Sequence, residues 1–377
     1  MNDWQRRARA MTVALAEERW VHDRDWADVF AATPRHLFIP RFWRVGDDGQ
    51  PTALIEGDNP AHAAEWLDAV YADRALIIEW TGPEGHRTPV SSASMPGVIA
   101  LMLEALDLRS GDRVLEIGTG TGYNTALMCT RGAEVTSIDI EAELVDAARG
   151  RLDALGHHPR LVAGDGAAGY VDAAPYDRII VTCSAPDIPT AWIEQLSPGG
   201  RIVSPMNFGG ALAVVDKVAP DRVSGPFDPM PVGFVPLRSG STPPEAVDPG
   251  PGPVPVGDAP TARVDPELDL AAFGDSDFRL WLSLAVPGCH LEWVRHTGGR
   301  RSGVVIEVGG AQTVIDFGEQ AVYGSAALYD RVETTWLAFR DHGRPPRWRL
   351  GLTAHTSGQQ YAWLDTPDSP VRWPVPG

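Results

Sequence analysis

Lysine is nearly absent from this sequence. Lys217 is the only lysine among 377 residues, so almost all of the positive charge is arginine. The 50 acidic residues outnumber the 32 basic ones and leave a formal net charge of −18. Because a charge of this sign repels a phosphate backbone, we expect no nucleic-acid partner unless a basic face is concentrated locally.

Long apolar runs and cysteines are also scarce. No stretch reaches about 18 consecutive apolar residues, and a basic-then-apolar leader is missing, so we expect a cytoplasmic protein with no membrane span. The three cysteines, Cys129, Cys183 and Cys289, are far apart and odd in number. This predicts small buried side chains in a reducing compartment instead of a disulfide framework.

Several catalytic motifs are missing. The ten histidines have no spacing typical of metal ligands, so we expect no metal site. No Gly-x-Ser-x-Gly elbow is present, which argues against a serine hydrolase. Enzymes that methylate DNA amino groups usually carry Asn/Asp-Pro-Pro-aromatic after the fourth strand. Residues 182–186 read Thr-Cys-Ser-Ala-Pro at that place and lack the required amide or carboxylate.

The most informative stretch is Val114–Asn124, an apolar run that breaks into three alternate glycines and then enters a helical pattern. It predicts the first strand of a parallel sheet followed by a nucleotide-binding turn. A dinucleotide fingerprint would have a third glycine where Tyr123 stands, so a pyrophosphate is not expected. Glu116 at the strand end favours a ligand that carries positive charge, and S-adenosylmethionine fits that description.

From Asp112 onward, predicted strands and helices alternate, which is typical of a doubly wound, mostly parallel sheet with its ligand cleft at the carboxyl ends of the strands. Asp139 ends the second strand, about twenty residues after the glycine turn, where a carboxylate can accept from both ribose hydroxyls. Asp165 and Gly166 follow the third strand, where a carboxylate can meet an adenine amino group. Either aspartate could instead be a helix cap or a turn residue.

The chain is long enough for two domains, and its 44% apolar and 22% charged residues are those of a globular protein. Residues 1–90 are expected to form helices and loops, including a surface loop over 45–59, that pack on a catalytic domain at 91–238. Residues 239–262 contain seven prolines and predict a linker. Residues 263–377 predict a smaller α+β domain that could bind peptide.

Within that last domain, strands are predicted at 278–286 and 304–308, and a further segment at 312–317 follows the Gly309-Gly310 turn. A helix is predicted at 328–339, and a late hairpin is formed by 347–352 and 360–364.

Seven motifs in order resemble protein-L-isoaspartate O-methyltransferases. They are Arg35–Pro40, Val70–Asp73, the Ser92–Pro96 turn, Val114–Tyr123, Asp165-Gly166 with Gly169, Pro175–Asp177 and Leu196–Arg201. The resemblance covers about residues 20 to 218, and the Ser-x-Pro turn ahead of the glycines is specific to the family. It implies a Rossmann-like class I methyltransferase sheet with a reversed last hairpin, S-adenosylmethionine as donor, S-adenosylhomocysteine as product, and a peptide carboxylate as acceptor.

The resemblance also implies site residues. Ser94, with Ser92 beside it, would help to hold the acceptor carboxylate, although Ser94 could instead only cap the helix that begins near Pro96. The residues implied for the donor are Glu116, Gly118, Thr119, Gly120, Tyr123, Asp139, Ile140, Asp165 and Gly166.

Two features depart from the usual pattern of the repair enzymes in that family. Met95 and Gly97 flank Pro96 where the family usually has Gln or Ala before the proline and an aromatic residue or His after it. The chain also continues for over a hundred residues past the catalytic domain. The extended architecture, with Trp near both ends of the amino-terminal segment and the approach over Trp66–Tyr71, is similar to extended homologues encoded beside ATP-grasp (graspetide) or lanthipeptide maturation enzymes.

Those homologues imply an acceptor of a different kind. It would be an Asp of a cyclised, ribosomally made precursor peptide, and its ester would close to an aspartimide. The alternatives are repair of L-isoaspartate in damaged proteins and, as a non-enzymatic possibility, a peptide-binding scaffold.

Overall fold

The structure, a computed structural model, describes residues 3–238, 240, 259–295 and 301–375. The helices are α1 (Asp3–Glu17), α2 (Arg24–Ala32), α3 (Ala63–Val70), α4 (Pro96–Ala105), α5 (Tyr123–Thr130), α6 (Ala142–Asp153), α7 (Thr190–Gln195), α8 (Ser276–Ala285) and α9 (Ala326–Asp341).

The strands fall into three groups along the chain. Those of the first 120 residues are β1 (Arg41–Val45), β2 (Pro51–Glu56), β3 (Leu76–Thr81), β4 (Thr88–Ala93) and β5 (Arg113–Ile117). Next come β6 (Glu134–Asp139), β7 (Arg160–Ala163), β8 (Tyr176–Val181), β9 (Leu196–Pro205), β10 (Leu212–Ala219) and β11 (Arg222–Pro226). The last are β12 (Ala262–Arg263), β13 (His290–Arg295), β14 (Arg301–Val308), β15 (Ala311–Asp316), β16 (Ala321–Gly324), β17 (Leu350–His355), β18 (Gln360–Leu364) and β19 (Arg372–Pro374).

The main sheet confirms the predicted doubly wound α/β fold. Its strand order is β7-β6-β5-β8-β9-β10-β11-β17-β18-β19. The pairs β5–β6, β5–β8, β6–β7 and β8–β9 are parallel, and β10 returns antiparallel to β9. Parallel strands joined by helices need a core on both faces, and Leu115, Ile179 and Val203 are fully buried. The strand order reverses at β5, which places a ligand cleft at its carboxyl end.

A smaller sheet lies in the amino-terminal region, where a loop was expected over residues 45–59. That expectation is wrong, because β1 and β2 form an antiparallel hairpin within the sheet β2-β1-β3-β4. Phe42 and Ile55 are opposite each other in this hairpin and are both buried. A buried apolar pair stabilises the hairpin even though its connecting residues are polar.

The strand predicted over 278–286 is also wrong, since this segment lies in α8. Its apolar residues Phe278, Leu280, Leu282 and Leu284 alternate along the chain, as they would in a strand, but Trp281 between them is buried as well. The helix begins where the Asp275 side chain accepts a hydrogen bond from the Asp277 amide. A helix that is buried on nearly all sides hides the periodicity that would identify it.

The helix predicted over 328–339 is confirmed as part of α9, and the late hairpin is confirmed as β17 and β18. The hairpin extends the main sheet, because β17 pairs with β11. The separate sheet β12-β16-β15-β14-β13 holds the remaining late strands. The main sheet therefore crosses the boundary predicted at residue 263, and the division into domains stays a prediction. The predicted linker lies outside the described residues except for 240 and 259–262.

The single lysine has a structural role at the end of α7. Its ammonium group donates hydrogen bonds of 2.7 Å to the carbonyl oxygens of Ile193 and Leu196. Helix ends leave carbonyl groups without intrahelical partners, so Lys217 satisfies two of them. Among the residues described, no helix is both long and apolar enough to cross a membrane.

Candidate active site

The glycine turn between β5 and α5 adopts the backbone that its composition predicts. Gly118 has a φ of 96° and Gly122 a φ of 88°, both in the left-handed region that favours glycine. A Cβ on Gly118 would lie 2.6 Å from the Thr182 hydroxyl oxygen. The turn therefore needs glycine for conformation and for close approach to the end of β8.

A cleft opens at this turn. Besides the turn, it is lined by the ends of β6 and β8, by the 90–94 end of β4, and by the segment 235–238. Thr119, Gly120 and Ile140, which are predicted donor-binding residues, lie along it.

Asp139 lies where the sequence places it, at the end of β6 on the wall of the cleft. Its Oδ2 accepts a hydrogen bond of 2.8 Å from the Gly120 amide, and its Oδ1 accepts one of 3.1 Å from the Glu141 amide. Burial raises the pKa of this carboxyl group. Each oxygen keeps a further lone pair, so the side chain can still accept from a vicinal diol.

Glu116 does not lie where a direct contact with a ligand would need it. Its side chain is fully buried beneath the turn and is not part of the cleft lining. One oxygen accepts a hydrogen bond of 2.8 Å from Asn124 Nδ2, and the other accepts from the Thr125 hydroxyl. Burial raises the pKa of Glu116 to about 7. The expected contact between this carboxylate and a cationic ligand is therefore wrong, because α5 covers it.

Asp165 has the role of a cap, which was the alternative interpretation of that residue. Its Oδ1 accepts from the Ala167 amide at 2.9 Å, and its Oδ2 accepts from the Gly240 amide at 3.0 Å. Gly166 lines the cleft, whereas Asp165 does not. Both carboxylate oxygens have backbone partners, so the structure does not bring Asp165 to the cleft as expected.

The serine residues ahead of the turn reach the cleft as predicted. Ser92 and Ser94 both line it, at the end of β4 and just beyond. Helix α4 begins with Pro96 at its first position, and its N-cap is Met95, without a side-chain hydrogen bond. Neither serine therefore caps the helix, and the Ser94 hydroxyl remains available to the cleft.

A buried arginine supports this corner from behind. Arg35 is fully buried, and its guanidinium donates to the carbonyl oxygens of Ser94 at 2.9 Å and of Val70 at 2.5 Å. Its Cζ lies 5.7 Å from the centre of the Tyr123 ring. Burial lowers the pKa of Arg35 to about 10, so the group stays charged at neutral pH. A fixed positive charge therefore lies behind the serines.

Three contributions to the cleft were not predicted. Asn124 lines it from the first turn of α5. The segment 235–238 forms one wall, held by hydrogen bonds of 2.8 Å that join Ser184 to Val235 and to Leu237. Arg238 pairs with Glu141 at 2.5 Å beside Asp139. Only Asn124 had a sequence signal, its place directly after the glycine turn.

No group of three or more potential metal ligands occurs among the residues that the structure describes. The cleft has features that suit a nucleoside with a cationic group, namely a glycine turn, an acidic acceptor at Asp139 and the buried carboxyl group of Glu116 beneath the turn. The residues therefore fit S-adenosylmethionine.

Comparisons with known proteins agree on one family. A family model described as protein-L-isoaspartate(D-aspartate) O-methyltransferase matches residues 6–242. Protein-L-isoaspartate O-methyltransferase 1 of Anaeromyxobacter sp. (strain Fw109-5) is 48% identical over 153 residues, which are 39% of this chain and 72% of the relative. The protein-L-isoaspartate O-methyltransferase of Methylorubrum populi is 42% identical over 179 residues, which are 47% of this chain and 80% of the relative.

A solved structure that has the same name as these two relatives has a similar fold over nearly the whole of this chain. It is called protein-L-isoaspartate O-methyltransferase and covers 95% of this chain and 99% of its own, with a TM-score of 0.52. Its sequence identity is 20%, so the likeness shows the fold alone.

Proposed function

Because the chain belongs to the protein-L-isoaspartate(D-aspartate) O-methyltransferase family, we propose that it methylates the free carboxylate of an L-isoaspartyl residue in a polypeptide. It is an S-adenosylmethionine-dependent protein carboxyl O-methyltransferase. One observation carries the proposal: Asp139, on the donor side, and Ser94, on the acceptor side, line the same cleft. A donor and an acceptor bound there would be neighbours.

Asp139 and the glycine turn would hold the donor. The carboxylate of Asp139 accepts from the ribose hydroxyls, while its existing hydrogen bond to Gly120 fixes the turn. When bound, S-adenosylmethionine supplies an electrophilic methyl group on a sulfonium. An ionised carboxylate is already a nucleophile, so alignment does most of the work and no general base is needed.

Ser94 would orient the acceptor. Its hydroxyl can donate to one carboxylate oxygen and leave the other free to attack the methyl group. Arg35, which binds the Ser94 carbonyl, keeps this corner rigid and electropositive. With the donor bound, the free carboxylate oxygen would take the methyl group as the carbon–sulfur bond breaks, and S-adenosylhomocysteine would be released. The product ester can then lose methanol when the following backbone nitrogen attacks it, which closes a succinimide.

A second candidate acceptor is an Asp of a cyclised, ribosomally made precursor peptide, with an aspartimide as product. This second candidate is favoured by the turn around Ser94, where Met95 and Gly97 differ from the residues usual in the family. A Cβ on Gly97 would lie 2.7 Å from a carboxylate oxygen of Asp73 and 2.8 Å from the Trp20 ring, so this chain closes the corner with other side chains. The carboxyl-terminal part does not separate the candidates, because a solved protein-L-isoaspartate O-methyltransferase shares the fold over 95% of the chain.

The experiment is a competition between acceptors. The full chain is incubated with S-adenosylmethionine and three peptides: an isoaspartyl peptide, its Asp counterpart of identical sequence, and a cyclised precursor peptide encoded beside the gene. Mass spectrometry detects a methyl gain or a loss of water. A methyl gain on the isoaspartyl peptide alone is the expected result. Modification of the precursor alone would establish the second candidate, and transfer to none of the peptides would contradict both.

A further inference from the structure

Two buried side chains on the cleft have polar atoms without a hydrogen-bond partner. They are the Tyr123 hydroxyl and the amide oxygen Oδ1 of Asn124. Both residues line the cleft, and they are only 5% and 8% exposed. Leaving a buried polar atom unpaired destabilises the fold, because the atom loses its hydrogen bonds to water without gaining another. Both atoms belong to residues that line the cleft, so a bound ligand is a candidate partner for them.

The orientation of the Asn124 amide follows from Glu116. The carboxylate accepts from Asn124 Nδ2 with one oxygen and from the Thr125 hydroxyl with the other. In its ionised form, which a cation bound nearby favours, the carboxylate accepts and cannot donate, so it selects the NH₂ end of the amide. The amide oxygen is then the end left without a donor, and it is held in place by a group that is itself fully buried.

We propose that Asn124 Oδ1 is the acceptor for the α-ammonium group of the methyl donor, with Glu116 as the positioning residue behind it. This inference rests on the proposed function, since it assumes that S-adenosylmethionine occupies the cleft. An ammonium group has three N–H donors and a positive charge. It matches an acceptor oxygen whose amide is polarised by a buried carboxylate.

The arrangement also separates the negative charge from the reactive methyl group. A carboxylate in contact with a sulfonium could take the methyl group itself, since carboxylates are the acceptors in this reaction. An amide oxygen is a much weaker nucleophile. Asn124 lies between Glu116 and the cleft. The charge of the ionised Glu116 carboxylate can therefore favour a cationic donor, while the carboxylate itself does not reach the methyl group as a competing acceptor.

The test compares two ligands that differ at the proposed contact. S-adenosylhomocysteine carries the α-ammonium group, whereas 5′-methylthioadenosine has the same nucleoside and thioether without the amino-acid end. For Asn124→Leu we expect S-adenosylhomocysteine to bind about 10-fold more weakly by calorimetry, because a hydrogen bond to a charged group is lost. The affinity for 5′-methylthioadenosine should stay unchanged. Equal losses for both ligands, or none for either, would overturn the inference.

A second variant covers the case in which Asn124→Leu does not fold. Glu116→Gln keeps an oxygen that can accept from Asn124 Nδ2 but removes the charge. It should weaken S-adenosylhomocysteine several-fold, about 3-fold or more, and again spare 5′-methylthioadenosine. Asn207→Leu is the control, because Asn207 is exposed and lies outside the cleft lining. If the unmodified chain bound neither ligand, the proposed donor would fail; loss of the discrimination alone would remove only the role of Asn124.

Discussion

The side-chain amide of Gln360 pairs with the backbone of Ile188 through two hydrogen bonds. Gln360 Oε1 accepts from the Ile188 amide at 2.9 Å, and Gln360 Nε2 donates to the Ile188 carbonyl at 3.0 Å. Gln360 begins β18. Ile188 lies in the loop after β8, and Cys183 of the same loop lines the cleft. The late strands therefore brace a loop of the active site across 172 positions of sequence.

Gln360→Leu should destabilise the folded protein. It leaves the buried amide and carbonyl of Ile188 without partners, which costs about 2–4 kcal/mol of the free energy of unfolding. Urea denaturation followed by tryptophan fluorescence measures this loss. Gln359→Leu is the matched control, because the neighbouring glutamine is exposed. Equal midpoints for the two variants would show that the pairing does not brace the loop.

Asp139→Ala should weaken donor binding. The variant removes the proposed acceptor of the ribose hydroxyls, so we expect S-adenosylhomocysteine to bind roughly 10- to 100-fold more weakly in calorimetry. Asp146→Ala, on the exposed face of α6, is the control and should bind normally. An unchanged affinity in Asp139→Ala would refute the assignment of Asp139 to the ribose.

Glu116→Gln should change how stability depends on pH. The pKa of Glu116 rises from 4.5 to about 7 in the folded chain because the group is buried. The stabilisation from its protonated form is fully present below about pH 4.5 and is lost as the pH rises through about 7. Relative to the variant, the wild type should lose about 3 kcal/mol of unfolding free energy between these limits.

Denaturation curves of the wild type and Glu116→Gln at several pH values measure this difference. Comparing two chains that share every other ionisable group cancels the remaining titrations. A difference in unfolding free energy between the two chains that stays constant across the range would mean that folding does not raise the pKa of Glu116.

Ser94→Ala should affect the acceptor and spare the donor. Loss of a hydrogen bond to a charged carboxylate, worth about 1.5–3 kcal/mol, predicts a fall of roughly 10- to 100-fold in kcat/KM for the methylated peptide. Affinity for S-adenosylhomocysteine should not change. The kcat/KM of Ser92→Ala gives the comparison, because Ser92 lines the same edge of the cleft as Ser94. Full activity in Ser94→Ala would assign the orienting role to another group.

The sequence predicts those parts of the site that depend on local spacing. Alternate glycines need left-handed backbone, so Gly118 and Gly122 identify the turn, and a carboxylate about twenty residues later identifies Asp139. Glu116 was assigned to the ligand because strand position alone does not show what the next helix covers. Its contact with Asn124 depends on the path of the turn between them.

The fold was less predictable where pairing is distant or burial is complete. The antiparallel pairing of β17 with β11 brings together Ser224 and Thr353, whose hydroxyls are 2.8 Å apart. Nothing in the composition of either strand selects the other. The sequence predicts a strand where α8 lies because the apolar residues satisfy both periodicities, and only the neighbouring elements decide between them.

The position of Lys217 has a practical consequence for finding what this protein contacts. Reagents that cross-link amines would find one lysine side chain, and its nitrogen already has two carbonyl partners at 2.7 Å. The 50 aspartate and glutamate residues give far denser coverage. Carbodiimide coupling or photo-activated probes are therefore the suitable chemistry for mapping where a polypeptide docks on this enzyme.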